Sequence, residues 1–158
     1  MFLILQGIHR GLYSQLSGIF PGGGSARSGE HFWVPMGDKL TGGIISTAPA
    51  NNLGWQVFMQ WNDHTQETEQ TVEILWQHRY NIIANANSII NKFEEGELTE
   101  TARLKEIIAQ AYTYRAYAYL SLVQHFAKGY LIGSPSSDPG VPLLFASEAP
   151  FTSAPRST

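Results

Sequence analysis

Between Leu104 and Lys128 the polar residues recur in steps of three or four: Glu106, Gln110, Thr113, Tyr117, Ser121, Gln124 and Lys128. That spacing marks one face of an α-helix. Off the stripe the stretch is apolar, with Leu104, Ile107, Ile108, Ala111, Tyr112, Ala116, Ala118, Tyr119, Leu120, Leu122, Val123 and Phe126. A helix apolar around most of its circumference is expected to be packed by neighbours on several sides. Arg115 breaks the pattern, falling opposite the polar stripe in line with Ala111, Leu122 and Phe126. A guanidinium in that position needs a hydrogen-bonding partner, because burying it alone is too costly.

A second helical period runs from Thr71 to Phe93. Thr71 suits an N-cap, with Glu73 in the first turn. Trp76, Tyr80, Ile83, Asn87 and Ile90 form its seam, and His78, Asn81, Asn85, Ser88 and Lys92 its solvent stripe. Asn87 lies on the seam and is expected to be a satisfied buried amide. Glu94-Glu95-Gly96-Glu97 reads as a turn. Thr99 then caps a helix over 100–128, and Gly129 supplies its C′ residue. Two helices joined by so short a turn make an antiparallel hairpin. A shorter helix over 3–17 is predicted from Leu5, Ile8, Leu12 and Leu16, with Gly18 ending it.

The intervening 18–66 shows no sustained period. Pro21-Gly22-Gly23-Gly24-Ser25 opens it as a flexible break. These glycines are not a phosphate loop, since no Gly-Lys-Ser/Thr follows and no apolar strand precedes. The segment holds Phe32, Trp33, Trp55, Phe58 and Trp61, with Asp38, Asn51 and Asn52 among them. Its aromatics either pin a long loop to the helices or line a ligand site. After Gly129 the chain is irregular again. Asp138-Pro139-Gly140 is placed for a type II turn, and Val141 to Phe145 is extended. Pro155-Arg156-Ser157-Thr158 reads as the lead-in to a further helix, capped by Ser157 or Thr158. The sequence ends where that helix is due.

Composition narrows the chemistry. The 158 residues suit one domain, and the net charge is −3. Charged residues make up 15%, well below the roughly 25% of ordinary domains, while aromatics reach 12%. This balance favours neutral polar ligands or large interfaces, and no basic patch exists to bind nucleic acid. Cysteine is absent, so disulfides, thiolate metal sites, cysteine nucleophiles and cysteine lipidation within this sequence are excluded. The apolar start MFLIL lacks the basic lead and small-residue cleavage site of a signal peptide, and no stretch reaches membrane-spanning length. His9, His31, His64, His78 and His125 show no metal-ligand spacing, and His78 and His125 read as surface residues. Glu94, Glu95 and Glu97 read as a solvated charge run, not a glycosidase pair. Ser46, Ser88 and Ser121 lack the context of a nucleophile. No metal, cofactor or catalytic set is expected.

Several of these residues form a familiar series. Trp76, Tyr80, Ile83, Ala86-Asn87 and Ile90 resemble the W, Y, I, AN, I pattern in the first tetratricopeptide-like helix of the SusD/RagB family. The run from Ala109 through Tyr119, then Leu122-Val123, is similar to that family's next helix with its Arg-Ala-Tyr core, here Arg115-Ala116-Tyr117. Gly140-Val141-Pro142-Leu143 resembles its Gly-Val-Pro-Leu segment, and Pro155-Arg156-Ser157-Thr158 its Pro-Arg-Ser/Thr-Thr motif. Gly11-Leu12-Tyr13 agrees with its early helix. The order and spacing agree from about residue 6 onward. The generic tetratricopeptide signature is absent.

The resemblance implies an all-α fold: tetratricopeptide-like helical hairpins with long irregular loops, part of an α-α superhelix. It implies a non-catalytic nutrient-binding lipoprotein of Bacteroidetes at the extracellular face of the outer membrane. Such a protein captures oligosaccharides, or in some members peptides, as the lid of a SusC-like TonB-dependent transporter. Aromatic faces and polar groups would hold the glycan. In this chain the candidates are Trp33, Asp38, Asn51, Asn52, Trp55 and Trp61, with Trp76, Tyr80, Asn87 and Arg115 as structural residues. Family members are longer and carry an upstream lipidated cysteine. The chain is therefore expected to be an N-terminal portion whose lipid anchor lies outside this sequence. The alternative is a helical protein-interaction scaffold without glycan binding.

Overall fold

A computed structural model describes residues 2–17, 30, 37–38, 41–43, 61, 70–96, 101–145 and 155–157. Its helices are α1 (Phe2–Ser17), α2 (Gln70–Glu94) and α3 (Ala102–Phe126). An isolated antiparallel bridge between Pro142 and Arg156 is the β pairing seen among the described residues, so the fold is all-α. The chain divides into two compact units. One comprises Met1–Leu12 with His78–Thr158, the other Tyr13–Gln77.

In the second unit, α2 begins at Gln70. Thr71 therefore lies inside the helix and is not its N-cap. Ile74 and Leu75 are buried, and Gln77 donates to the Glu73 carboxylate at 2.7 Å one turn back.

The first unit holds the hairpin. Along α2 the buried residues come in adjacent pairs one turn apart: His78 and Arg79, Ile82 and Ile83, Ala86 and Asn87, Ile89 and Ile90. This face is two residues wide, as a helix covered on one broad side requires. His78 therefore sits inside it at 3% exposure, and the expected place on the solvent stripe is corrected. It falls one turn before Ile82, on the rotation the core occupies. Asn81 remains exposed as expected.

Helix α3 buries Leu104, Ile107, Ile108, Ala111, Ala118, Ser121 and Leu122. These positions define a single face, so the expected cover on several sides is not what the described residues give. Tyr112, Leu120 and Val123 are exposed by 40–57%. Ser121, expected on the polar stripe, is buried beside Leu122. Its carbonyl receives the His125 ring nitrogen Nδ1 at 2.7 Å. His125 itself is exposed, as the sequence suggested.

The helix ends also shift. Thr101, not Thr99, is the N-cap of α3: its backbone is extended and its hydroxyl accepts from the Leu104 amide at 3.1 Å. At the other end Ala127 is the C-cap, its amide bonding the Val123 carbonyl. Gly129 has no left-handed conformation and acts instead as an acceptor, taking the amides of Ile132 and Gly133 at 3.0 Å each. Of the turn read over 94–97, Glu94 still belongs to α2, Glu95 and Gly96 form a turn with Gly96 at φ 73 and its amide on the Phe93 carbonyl, and Glu97 lies outside the described residues. The part of α1 up to Leu12 belongs to this unit: Leu12 is fully buried, and the His9 ring hydrogen-bonds the Gln110 amide oxygen.

Candidate functional site

Of the six loop residues proposed for ligand contact, Trp33, Asn51, Asn52 and Trp55 lie outside the described residues. Asp38 and Trp61 are described, and both are exposed. Asp38 belongs to a tight turn. Thr41 Oγ1 donates to the Gly37 and Asp38 carbonyls at 3.1 and 3.2 Å, and Gly42 follows at φ 80. Trp61 is 51% exposed with φ 58, an uncommon backbone for an aromatic residue. The described residues do not assemble the loop site as a whole.

Three of the four predicted structural residues do converge. Asn87, fully buried on α2, donates from Nδ2 to the Leu144 carbonyl at 2.8 Å and accepts Arg115 Nη1 on Oδ1 at 2.9 Å. The amide is thereby satisfied at both ends. Arg115 is the partner that the sequence demanded, and its guanidinium also lies 5.1 Å from the Tyr112 ring and 5.6 Å from that of Phe145. Tyr80, about two turns earlier on α2, donates to the Pro142 carbonyl at 2.8 Å. Trp76 is half-buried and belongs to the other unit.

Tyr119 completes the set. Its hydroxyl donates to the Leu144 carbonyl at 2.9 Å and accepts the Leu144 amide at 2.7 Å, so one phenol clasps both backbone groups of one residue. Burial raises the Tyr80 hydroxyl far above the ordinary tyrosine range, with the neighbouring Tyr119 adding to the shift and Arg156 opposing it. Burial raises Tyr119 also, against the Leu144 hydrogen bond and the Arg115 charge. Both phenols stay neutral, as donors to carbonyls must.

The extended segment that receives these bonds is tied down from its other side. Gly140 donates to the Ser157 carbonyl at 2.6 Å, and both the Ser157 amide (3.4 Å) and its hydroxyl (2.8 Å) donate to the Val141 carbonyl. Gly140 does not adopt the positive φ of a type II turn. Its need for glycine is steric instead, because a Cβ would stand 3.1 Å from Ser157 Oγ and 3.2 Å from its carbonyl oxygen. Residues 155–157 are extended along Gly140–Pro142. Arg156 Nη1 points to the Phe126 carbonyl at 3.4 Å, at the C-terminal end of α3.

Two features were not read from the sequence. Arg79 is 2% exposed, with its guanidinium 5.2 Å from the Tyr117 ring. Its place one turn from both Leu75 and Ile83 was the available signal. The other is the loop after α3. Lys128 Nζ donates to Asp138 Oδ1 at 2.7 Å, and the Ser134 amide donates to Oδ2 at 2.6 Å. The Ser137 and Asp138 amides both bond the Ser134 carbonyl at 2.9 Å. The Lys128 and Ser134 hydrogen bonds hold the Asp138 carboxyl below its usual range. This stitched loop borders a shallow groove of about 200 Å³ that Val123, Tyr130, Pro135 and Pro139 help to line. Tyr130, Leu131 and Ile132 at its tip are 79%, 95% and 86% exposed.

The four sequence motifs thus meet in one hydrogen-bonded joint, α2 to α3 to Gly140–Leu144 to Pro155–Ser157. A family model described as SusD-like_3, starch-binding associating with outer membrane, matches residues 42–158. The chain belongs to the SusD-like family. No significant match was found among curated proteins or among solved structures. Proteins of the SusD-like family are non-catalytic binding proteins. No group of three metal-ligating side chains occurs among the described residues. No helix there is long and apolar enough to cross a membrane.

Proposed function

We propose that this SusD-like chain binds oligosaccharides at the outer face of the outer membrane and works with a SusC-like TonB-dependent transporter. The observation that carries the reading is the family match over residues 42–158 and the starch-binding role in its description. The α2–α3 joint serves this role indirectly. It holds α2, α3 and the Gly140–Leu144 segment together as one unit.

In this reading Trp33, Trp55 and Trp61 stack on sugar rings, and Asp38, Asn51 and Asn52 bind hydroxyls. Sugars offer a C–H face to an aromatic ring and a hydroxyl rim to polar side chains, which suits a weakly charged, aromatic-rich surface. Affinity for maltoheptaose and a panel of other oligosaccharides tests it by calorimetry. Trp33→Ala and Trp55→Ala should each weaken binding about tenfold. Unchanged affinity in both variants would remove the loop site.

The exposed run Tyr130-Leu131-Ile132 favours one other reading, a helical scaffold that binds a protein and no glycan. A wild-type chain that binds none of the oligosaccharides, and that loses a protein partner on Leu131→Ser, would establish that reading instead.

A further inference from the structure

We infer that the groove beside the 128–140 loop is a second, single-ring sugar site, lined by residues other than those of the 31–62 segment. The inference rests on the glycan-binding reading above.

The loop is built before any ligand arrives. Gly129 and Ser134 carbonyls each take two amides, and Asp138 closes the base by accepting from Lys128 and from the Ser134 amide. Gly133 belongs to the same construction: a Cβ there would stand 2.6 Å from Asp138 Oδ2, so the carboxylate occupies space that only glycine leaves open. A loop stitched this closely loses little freedom when it binds.

The size of the groove sets the ligand's size. At about 200 Å³ it is smaller than the roughly 300–1,000 Å³ of sites for drug-sized molecules. One pyranose ring with its substituents suits that space, and a longer chain would run on into solvent.

The lining sets the ligand's chemistry. Tyr130 contributes an aromatic ring that is 79% exposed, and Val123, Pro135 and Pro139 add apolar wall. Lys128 and Asp138 bring opposite charges that cancel at 2.7 Å, so neither a free anion nor a free cation is favoured. Lysine has three donors, of which the bond to Asp138 uses one, and the Ser134 hydroxyl makes no hydrogen bond among the described residues. A purely apolar ligand would make no use of the remaining Lys128 donors or the Ser134 hydroxyl. A neutral polyol with one C–H face satisfies both the ring and the polar groups. Glycans repeat along a chain, so a weak site of this kind adds avidity to binding elsewhere on the same molecule.

The test is a nuclear magnetic resonance titration of the full chain with methyl glycosides of glucose, mannose, galactose and xylose. Amide resonances of Gly133, Ser134 and Asp138 report the groove, and those of the 31–62 segment report the other site. At least one glycoside should shift the groove amides, with a midpoint about tenfold higher in Tyr130→Ala. Tyr130 is exposed, so its removal should leave the melting temperature unchanged, and a Lys128→Met variant should weaken the same shifts with the ring intact. Shifts confined to the 31–62 segment would overturn the groove site and leave the glycan reading standing. Groove shifts indifferent to both substitutions would overturn it as well. Silence of all resonances to all four glycosides would overturn the groove site, and the glycan reading would still be decided by the oligosaccharide titration.

Discussion

Arg115 on α3 donates to Asn87 on α2 across 2.9 Å, and Asn87 passes the link on to the backbone of Leu144. One buried amide therefore joins two helices and the extended segment that follows them. Asn87→Ala would leave the guanidinium without this acceptor and open a small cavity in a fully buried position. The expected loss is about 2–3 kcal/mol in urea unfolding. Arg115→Met keeps an apolar stem between Tyr112 and Phe145 and should cost about 1 kcal/mol. The double variant should then show a coupling of about 0.5–3 kcal/mol. Additive losses would mean that the bond contributes nothing of its own.

A second expectation concerns alkaline pH. Tyr80 and Tyr119 ionise above the ordinary tyrosine value of 10.0 because burial opposes the phenolate. In the unfolded chain they ionise near that ordinary value. Their contribution to stability is therefore complete below pH 10 and is lost as pH rises through the folded-state values. Tyrosinate absorbance should show these two groups ionising only above the ordinary tyrosine value, together with unfolding. Tyr119→Phe removes two hydrogen bonds and should cost about 1–2 kcal/mol at neutral pH, while reducing the stability lost per pH step above 10. A variant with an unchanged alkaline transition would exclude Tyr119 from the linkage.

How much of this was open to the sequence depended on which atoms did the work. Side-chain demands were legible: the misplaced Arg115 asked for a partner, the seam residue Asn87 asked for two, and each answers the other. Helix existence followed from periodicity. The rotation of each helix did not, because a two-residue-wide buried face admits a neighbour such as His78 or Ser121 that a narrow seam leaves out. Caps slid for a related reason, since Thr99 and Thr101 are equally good candidates until the backbone shows which is extended. The pairing of Gly140–Pro142 with Arg156–Ser157 was hidden because its acceptors are carbonyls, which every residue carries. The family motifs were legible as separate words, and the hydrogen bonds between them were not. The loop proposed for ligand contact lies largely outside the described residues, and the groove beside Tyr130 gave no periodic signal at all.

Two glycines test steric against conformational need. Gly133 has an ordinary φ, but a Cβ would come within 2.6 Å of Asp138 Oδ2 and 3.2 Å of Lys128 Cβ. Gly96 has open space around it and a φ of 73. Gly96→Ala should cost about 1 kcal/mol through backbone strain alone and leave the hairpin intact. Gly133→Ala should expel the Asp138 carboxylate, since the carboxylate is the movable partner. Its signature is local: loss of hydrogen-exchange protection at the Ser134 amide, with a small change in global stability. Retained protection in Gly133→Ala would show that the loop yields elsewhere.

The same carboxylate makes the loop sensitive to acid. Asp138 is held below its ordinary value of 3.8, first by the Lys128 hydrogen bond and then by that from the Ser134 amide. A carboxyl lowered in the folded state stabilises fully above its ordinary value and ceases to do so as pH falls through the folded value. The loop should accordingly stay closed across the neutral and mildly acidic range and open below pH 3.8. Since Lys128 is 62% exposed, salt should screen its share and raise the midpoint slightly. The Ser134 amide shift, followed against pH, reads this directly. Lys128→Met should move the midpoint up toward the ordinary carboxyl value, because the stronger of the two hydrogen-bond partners is gone. Asp138→Asn should abolish the acid transition, as no carboxyl then remains at the base of the loop. A midpoint that ignores Lys128→Met would assign the lowered carboxyl to the Ser134 amide and not to the lysine.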